Sequence, residues 1–329
     1  MKTSDFQQVL NTITGKVLIV THERPDGDAV GSATALWHLL NGNGYEADAL
    51  FPDDIPDAYL CFLPENALKA ADPAQYGSVL SVDASTPKRL GLGGTLIPEQ
   101  ITVPFAALDH HPDHIEFANV TYVDHTACSA AEIVYDLAKF AGWTITPDAA
   151  TRLLLGVVTD SGCFRFDNTT PRALRVSADL IEAGADRHFV IDRAYFSKPF
   201  NMAQFEAELF CRSLRTALDG AFAWFMITNE MLKKYDVNIR NTENLIENIR
   251  GIEGVTVAAV IKPTANPGIF KVSLRSKDPT VSVGKVARRL NGGGHEIAAG
   301  CTIFAKRAEI AEDILLKHVA MEFNHEKQA

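Results

Sequence analysis

From residue 4 to about residue 185, short apolar runs alternate with amphipathic segments, the pattern of βαβ units wound around a parallel sheet. The apolar runs predict strands at residues 16–21, 47–51, 78–82, 104–108 and 120–123. Helical periodicity predicts helices at 4–13, 29–40, 130–141, 147–158 and 171–183, with Gly42-Asn43-Gly44 and Gly91-Leu92-Gly93-Gly94 as breaks. Residues 186–218 read as mainly helical. Beyond them the pattern changes to strands at 221–227, 255–261, 269–275 and 300–304, and helices at 241–249, 283–290 and 308–323. The fold expectation is α/β: a parallel-sheet domain over residues 1–186, a helical connector over 187–218 and a smaller α+β domain over 219–329. No repeat or low-complexity tract interrupts it.

In an open parallel sheet, ligands sit beyond the carboxyl ends of the strands. His22, Asp83 and Asp109 each follow one of the predicted strands there. The first turn, His22-Glu23-Arg24-Pro25-Asp26-Gly27-Asp28, packs one imidazole and two carboxylates together, and Gly27 permits a backbone conformation that other residues resist. Alone, this turn reads equally as a β-turn with Asp28 capping the next helix. Gly31 and Ser32 favour a site, because a glycine in the first helical turn lets a phosphate approach backbone amides. Asp83 alone could also be a helix cap. Asp109-His110-His111 is harder to bury without a cation or a charged partner.

Asp160, in Thr159-Asp160-Ser161-Gly162-Cys163-Phe164-Arg165-Phe166, is either a loop residue after a helix or a further carboxylate ligand. Arg165, between two phenylalanines, could reach a phosphate. Cys163 reads as a small packing residue, and His38, His114, His125, His188, His318 and His325 as structural or solvated.

Composition narrows the chemistry. An apolar fraction of 47% with 22% charged residues fits a globular protein of 329 residues, long enough for two domains. No stretch approaches the roughly 18 apolar residues of a membrane span, so a cytoplasmic protein with no membrane partner is expected. Five scattered cysteines without C-x-x-C spacing argue against disulfides and a zinc cluster. A formal net charge of −10 disfavours long duplex nucleic acid, so any nucleic-acid substrate should be short. Imidazole with several carboxylates and no thiolate suits Mn2+, Mg2+ or a similar divalent cation. Two such ions about 3.5–4 Å apart activate water for in-line attack on phosphorus, which makes phosphoester hydrolysis the expected reaction class.

His22-x3-Asp26-x-Asp28, Asp83, Asp109-His110-His111 and Asp160, in that order, resemble the four motifs of the DHH phosphoesterase superfamily. The second domain, with Leu274-Arg275-Ser276 and Gly292-Gly293-Gly294-His295, resembles the DHHA1 domain that accompanies many members. In length and domain content the chain is similar to the stand-alone nanoRNase/pAp phosphatases. The resemblance implies that His22 and Asp26 bind one cation, that Asp28, His110 and Asp160 bind a second, and that Asp83 bridges both. Mn2+ is the implied preference, with Mg2+ or Co2+ as substitutes. Asp109 would orient the imidazoles, and His111 would contact the scissile phosphate or leaving oxygen.

The resemblance also implies an active site in the interdomain cleft, where Arg275, Ser276, His295 and the amides of Gly292, Gly293 and Gly294 would hold a terminal phosphate or nucleotide. Without the first domain, the glycine run would read as a flexible loop. Ser161 stands where many members have Thr, and Ala84 follows the bridging Asp; neither removes a ligand. The implied substrates are short oligoribonucleotides and adenosine 3′,5′-bisphosphate, and a homodimer is compatible with the family. Two rivals stay open: linear pApA from cyclic di-AMP as substrate, and a non-catalytic nucleotide-binding module; the family II pyrophosphatases share the first domain, but the Gly292-Gly293-Gly294-His295 run points away from them.

Overall fold

The computed structural model describes residues 3–90, 96–242 and 245–326. It divides into two compact units, Met1–Ser197 and Lys198–Ala329. The first contains α1 (Thr3–Thr12), β1 (Lys16–Val20), α2 (Gly27–Gly42), β2 (Glu46–Leu50), β3 (Ser78–Val82), β4 (Phe105–Asp109), β5 (Val120–Val123), α3 (Ala130–Ala141), α4 (Pro147–Asp160), α5 (Pro171–Glu182) and α6 (Arg187–Ile191). Its strands are parallel throughout, in the order β2-β1-β3-β4-β5.

A sheet buried on both faces needs apolar residues at every position, and alternate residues go to opposite cores. Val17 and Ile19 of β1 join Leu80, Val82, Ala106 and Leu108 in a core shared with the helices, while Leu18, Val20, Val79 and Phe105 pack under the loops on the other face. Helix starts are marked by side-chain caps: Asp26 for α2, Ser129 for α3, and a Thr-Pro pair, Thr146-Pro147 or Thr170-Pro171, for α4 and α5.

The second unit contains α7 (Phe200–Glu208), β6 (Leu214–Ala217), β7 (Phe222–Met226), α8 (Asn229–Tyr235), α9 (Leu245–Arg250), β8 (Val257–Pro263), β9 (Ile269–Ser276), α10 (Val283–Arg289), β10 (Gly293–Gly294), β11 (Ala298–Phe304) and α11 (Ala308–Glu326). Its mixed sheet runs β10-β11-β9-β8-β7-β6, with only β7 and β8 parallel. Phe222, Trp224, Val257 and Ile261 face a core closed by α10 and α11, and Ala223, Phe225, Ala258 and Val260 face a second one closed by α7 and α9. Among the described residues no helix is long and apolar enough to cross a membrane.

The segment read as a helical connector is helical to Ser213 apart from a break after Phe196, but Leu214–Ala217 pairs as an edge strand. The helix expected at 241–249 is a 3-10 turn, Ile239–Thr242, followed by α9. The break expected at Gly91-Leu92-Gly93-Gly94 lies outside the described residues. Gly31 has a different role from the one its position suggested. A Cβ there would lie 2.6 Å from the Arg152 carbonyl oxygen and 2.7 Å from the Gly156 nitrogen, so the glycine lets α2 and α4 cross in backbone contact. Gly31→Ala should therefore lower the unfolding free energy by about 1–3 kcal/mol, measured by urea denaturation, because backbone must shift to make room.

Candidate metal centre

The strand order reverses between β1 and β3, which makes their carboxyl ends the switch-point crevice of the sheet. His22 follows β1, Asp83 follows β3, and Asp109 ends β4. Two turns here use the left-handed region, at Arg24 (φ 52°) and Asp83 (φ 57°), where a non-glycine residue is strained and persists only if its surroundings hold it. Asp53 provides part of that support by accepting from the Arg24 amide at 2.9 Å. Asp26, not Asp28, caps α2: its Oδ1 accepts from the Asp28 and Ala29 amides at 3.1 Å each. Gly27 is required by proximity rather than by an unusual φ, since a Cβ would come within 2.5 Å of the Thr159 side chain.

His22 Nε2 lies 3.5 Å from Asp83 Oδ2 and 3.9 Å from Asp26 Oδ2. His110 Nε2 lies 3.6 Å from Asp83 Oδ1 and 3.9 Å from both Asp28 Oδ2 and Asp160 Oδ2. Asp83 thus turns one oxygen to each imidazole. Among the described residues, three donor sets have ligand atoms within 4.8 Å of one another: His22, Asp26 and Asp83; Asp28, His110 and Asp160; and Asp83, His110 and His111. In the last, His111 Nδ1 is already 2.8 Å from Asp109 Oδ1, so that nitrogen is engaged.

Each donor is held from behind. His22 Nδ1 lies 2.7 Å from the Glu23 carbonyl oxygen, which turns Nε2 toward the carboxylates. Asp28 accepts from the Ala130 and Ala131 amides, at 2.6 and 3.0 Å, at the N-terminus of α3. That terminus is fixed by Glu132, which accepts from the Cys128 amide and pairs with Arg172. Asp160 ends α4, where a negative charge opposes the helix dipole; Asn168 Nδ2 reaches its Oδ2 at 3.2 Å. Asp109, with no exposed surface, takes His111 on one oxygen and His114 Nδ1 on the other at 2.6 Å.

Burial opposes charge on His22 and His110, yet the facing carboxylates outweigh it and raise both imidazoles to about 10. Burial, with Asp26 and Asp83 reinforcing it against His110, pushes Asp160 up to about 7. Asp28 is raised well above the usual carboxylate range by burial and by Asp83 and Asp160. Asp83 and Asp109 move the other way, burial being outweighed by His110 and His22 for the first and by His111 and His114 for the second. A divalent cation fits this donor set, because it replaces the shared protons as the countercharge. Asp83 Oδ1 supplies a direct sign of fit: it is buried with no hydrogen-bond partner among the described residues.

The other candidate residues have contacts of their own. Arg165 donates from Nε to the Gly162 carbonyl at 2.6 Å, and its guanidinium carbon sits 5.9 Å from the centre of the Phe166 ring. Cys163 is half-buried with φ 58°. In the second unit, Arg275 on β9 faces Glu247 at 3.4 Å. Ser276 is buried, and its hydroxyl donates to the Asp278 carbonyl at 2.7 Å and accepts from the Asp278 amide, so it shapes a turn. The glycine run is a hairpin rather than an open amide cradle: Gly293 and Gly294 pair with β11, and the amides of Gly292 and His295 donate to the Ala287 and Ala298 carbonyls. Gly292 has no room for a Cβ against Gly300 and Cys301.

The N-terminal domain of the DHH family matches residues 16–157, and the DHHA1 domain matches residues 224–322. A bifunctional oligoribonuclease and PAP phosphatase, NrnA, of Thermus thermophilus is 30% identical over 96% of this chain and 92% of its own length. A protein of the same name from Bacillus subtilis is 27% identical over 88% of this chain and 90% of its own. An exopolyphosphatase-related protein of Bacteroides fragilis shares the fold, with a TM-score of 0.86 at 20% identity over 97% of each chain. The chain belongs to the DHH/DHHA1 phosphoesterase superfamily, a metal-dependent family. Within it, the chain is similar over most of its length to the proteins named bifunctional oligoribonuclease and PAP phosphatase.

Sequence reasoning missed His114, Asn168 and Arg89, whose Nη2 lies 3.0 Å from His22 Nδ1. His114→Ala should cost about 1–3 kcal/mol in thermal unfolding, since it leaves a buried Asp109 oxygen without its donor, and His114→Asn, which keeps an N–H, should recover part of it. A pH effect follows as well. His22 and His110, with raised folded values, stabilise the chelator-treated fold below their usual 6.5, and that stability is lost as pH rises toward about 10. Unfolding midpoints in chelator should fall over this window, and the gain from added Mn2+ should grow, because cation ligands are deprotonated in the fold.

Proposed function

We propose that the chain hydrolyses short oligoribonucleotides to nucleoside 5′-monophosphates and adenosine 3′,5′-bisphosphate to AMP and phosphate. The observation that carries this reading is the pair of Asp83 oxygens, one facing His22 and the other facing His110. The names of the relatives, oligoribonuclease and PAP phosphatase, support the substrate class.

His22 and Asp26 would hold one cation, Asp28, His110 and Asp160 the other, and Asp83 both. Two divalent cations, Mn2+ by preference, would supply Lewis-acid stabilisation and lower the pKa of water bound to them. His111 is oriented by the Asp109 contact at Nδ1, which leaves Nε2 to contact the scissile phosphoryl group and protonate the departing oxygen. Water adds to the phosphorus carried on the 3′ oxygen, the P–O3′ bond breaks and the 3′ alcohol leaves. The same step serves both substrates, because each then yields a nucleoside 5′-monophosphate. Residues 1–186 are the proposed catalytic part, 187–218 the connector and 219–329 the substrate-binding part. Arg165, Arg275, His295 and the hairpin of Gly292, Gly293 and Gly294 are the proposed substrate contacts, with Ser276 as a turn-shaping residue.

The test is AMP release from adenosine 3′,5′-bisphosphate, a 5′-phosphorylated diribonucleotide and linear pApA, each with Mn2+. No AMP from any of them sinks the proposal, and pApA turned over far faster than the other two would shift it to that dinucleotide. Asp83→Ala should lower kcat by about 10³-fold or more, equivalent to roughly 4 kcal/mol of barrier, with the far-ultraviolet circular dichroism spectrum unchanged.

A further inference from the structure

Arg89 lies in the loop after β3, and its backbone is fastened to the first motif: its carbonyl accepts from the Glu23 amide at 2.6 Å, and Leu90 forms a bridge with His22. Its side chain is thereby held against the cluster, half-buried, with Nη2 3.0 Å from His22 Nδ1. That contact cannot satisfy the guanidinium. His22 Nδ1 is also 2.7 Å from the Glu23 carbonyl oxygen, and the nitrogen that faces an oxygen at that distance carries the proton. For His22 to offer the Nε2 lone pair to a cation, the proton must be on Nδ1, so both nitrogens of the Arg89–His22 contact are donors. Among the described residues Arg89 forms no ion pair with a carboxylate. A half-buried guanidinium set against another donor presents N–H groups that a phosphoryl oxygen would satisfy.

We propose that Arg89 binds a phosphoryl oxygen of the substrate on the His22–Asp26 side of the centre. This rests on the phosphoesterase reading and extends it to a residue outside the ligand set. A forked guanidinium suits this task, since it can donate two N–H groups to one phosphoryl group and keeps its charge at any working pH. The competing role is structural: Arg89 could only offset the negative charge of the carboxylates, an effect already felt at Asp26, whose carboxyl it helps to depress. The two roles predict opposite responses.

The experiment titrates inorganic phosphate into the Mn2+-loaded full chain by calorimetry, for the wild type, Arg89→Gln and Arg89→Lys. Mn2+ affinity is measured separately. Phosphate affinity should fall about 10- to 100-fold in Arg89→Gln and less in Arg89→Lys, the range for loss of charge-assisted hydrogen bonds, with Mn2+ affinity unchanged. Phenylglyoxal should modify Arg89 in the wild type, read by peptide mass, and phosphate should protect it. Unchanged phosphate affinity in Arg89→Gln, particularly with tighter Mn2+ binding, overturns the proposal in favour of charge balance. A wild type that binds no phosphate overturns it too. Because binding is read without turnover, hydrolysis with an unaltered Arg89→Gln titration removes this inference alone. Loss of phosphate binding in Arg89→Gln without hydrolysis of any nucleotide removes the substrate assignment instead.

Discussion

Four carboxylates, Asp26, Asp28, Asp83 and Asp160, converge on two imidazoles at one edge of a parallel sheet, and their mutual repulsion is the constraint that the surrounding structure answers. Burying so much like charge is unfavourable unless countercharge and hydrogen bonds are placed around it. The fold does so with backbone as much as with side chains. The α3 N-terminus faces Asp28, the α2 N-terminus is capped by Asp26, and Asp109 is pinned between two histidines. At the centre itself, Asp83 Oδ1 is buried with no hydrogen-bond partner among the described residues and faces His110 Nε2 at 3.6 Å.

This explains an otherwise odd distribution of strain. Asp83 sits at φ 57° at the end of a fully buried strand, a conformation that no strand requires. It is the conformation that sends one oxygen to His22 and the other to His110. The cost is of a size that a well-packed domain can sustain, roughly 1–3 kcal/mol, and sites of this kind are where such strain collects.

Much of this was legible in the sequence, for identifiable reasons. β3 and β5 appear where the apolar runs put them: β3, buried between parallel neighbours, has no choice of composition, and β5, the half-buried edge strand, still shows as a short run of β-branched and aromatic residues. His22, Asp83, His110 and Asp160 could be gathered because each follows an element whose end points the same way. The edge strands β6 and β10 were not legible: Leu214–Ala217 is largely exposed and Gly293–Gly294 has no side chains to pattern. His114 carried no signal beyond following Asp109 by five residues, and only the turn after β4 brings it back to that carboxylate. The reasons for Gly27 and Gly31 also lay in tertiary contact, since both glycines answer to α4, more than a hundred residues further along the chain.

The position of Asp28 has a kinetic consequence. Its carboxylate belongs to the first turn of α2, receives hydrogen bonds from residues more than a hundred positions away in α3, and lies so close to Gly156 of α4 that a methyl group there would strike it. Three helices must dock before that carboxylate reaches its final surroundings. Because contacts of such sequence separation form only after the chain has closed large loops, assembly of the centre marks the completion of the helical layer. A partly folded chain therefore holds only isolated carboxylates and imidazoles, and the cluster of donors comes together only with the shape that restrains it.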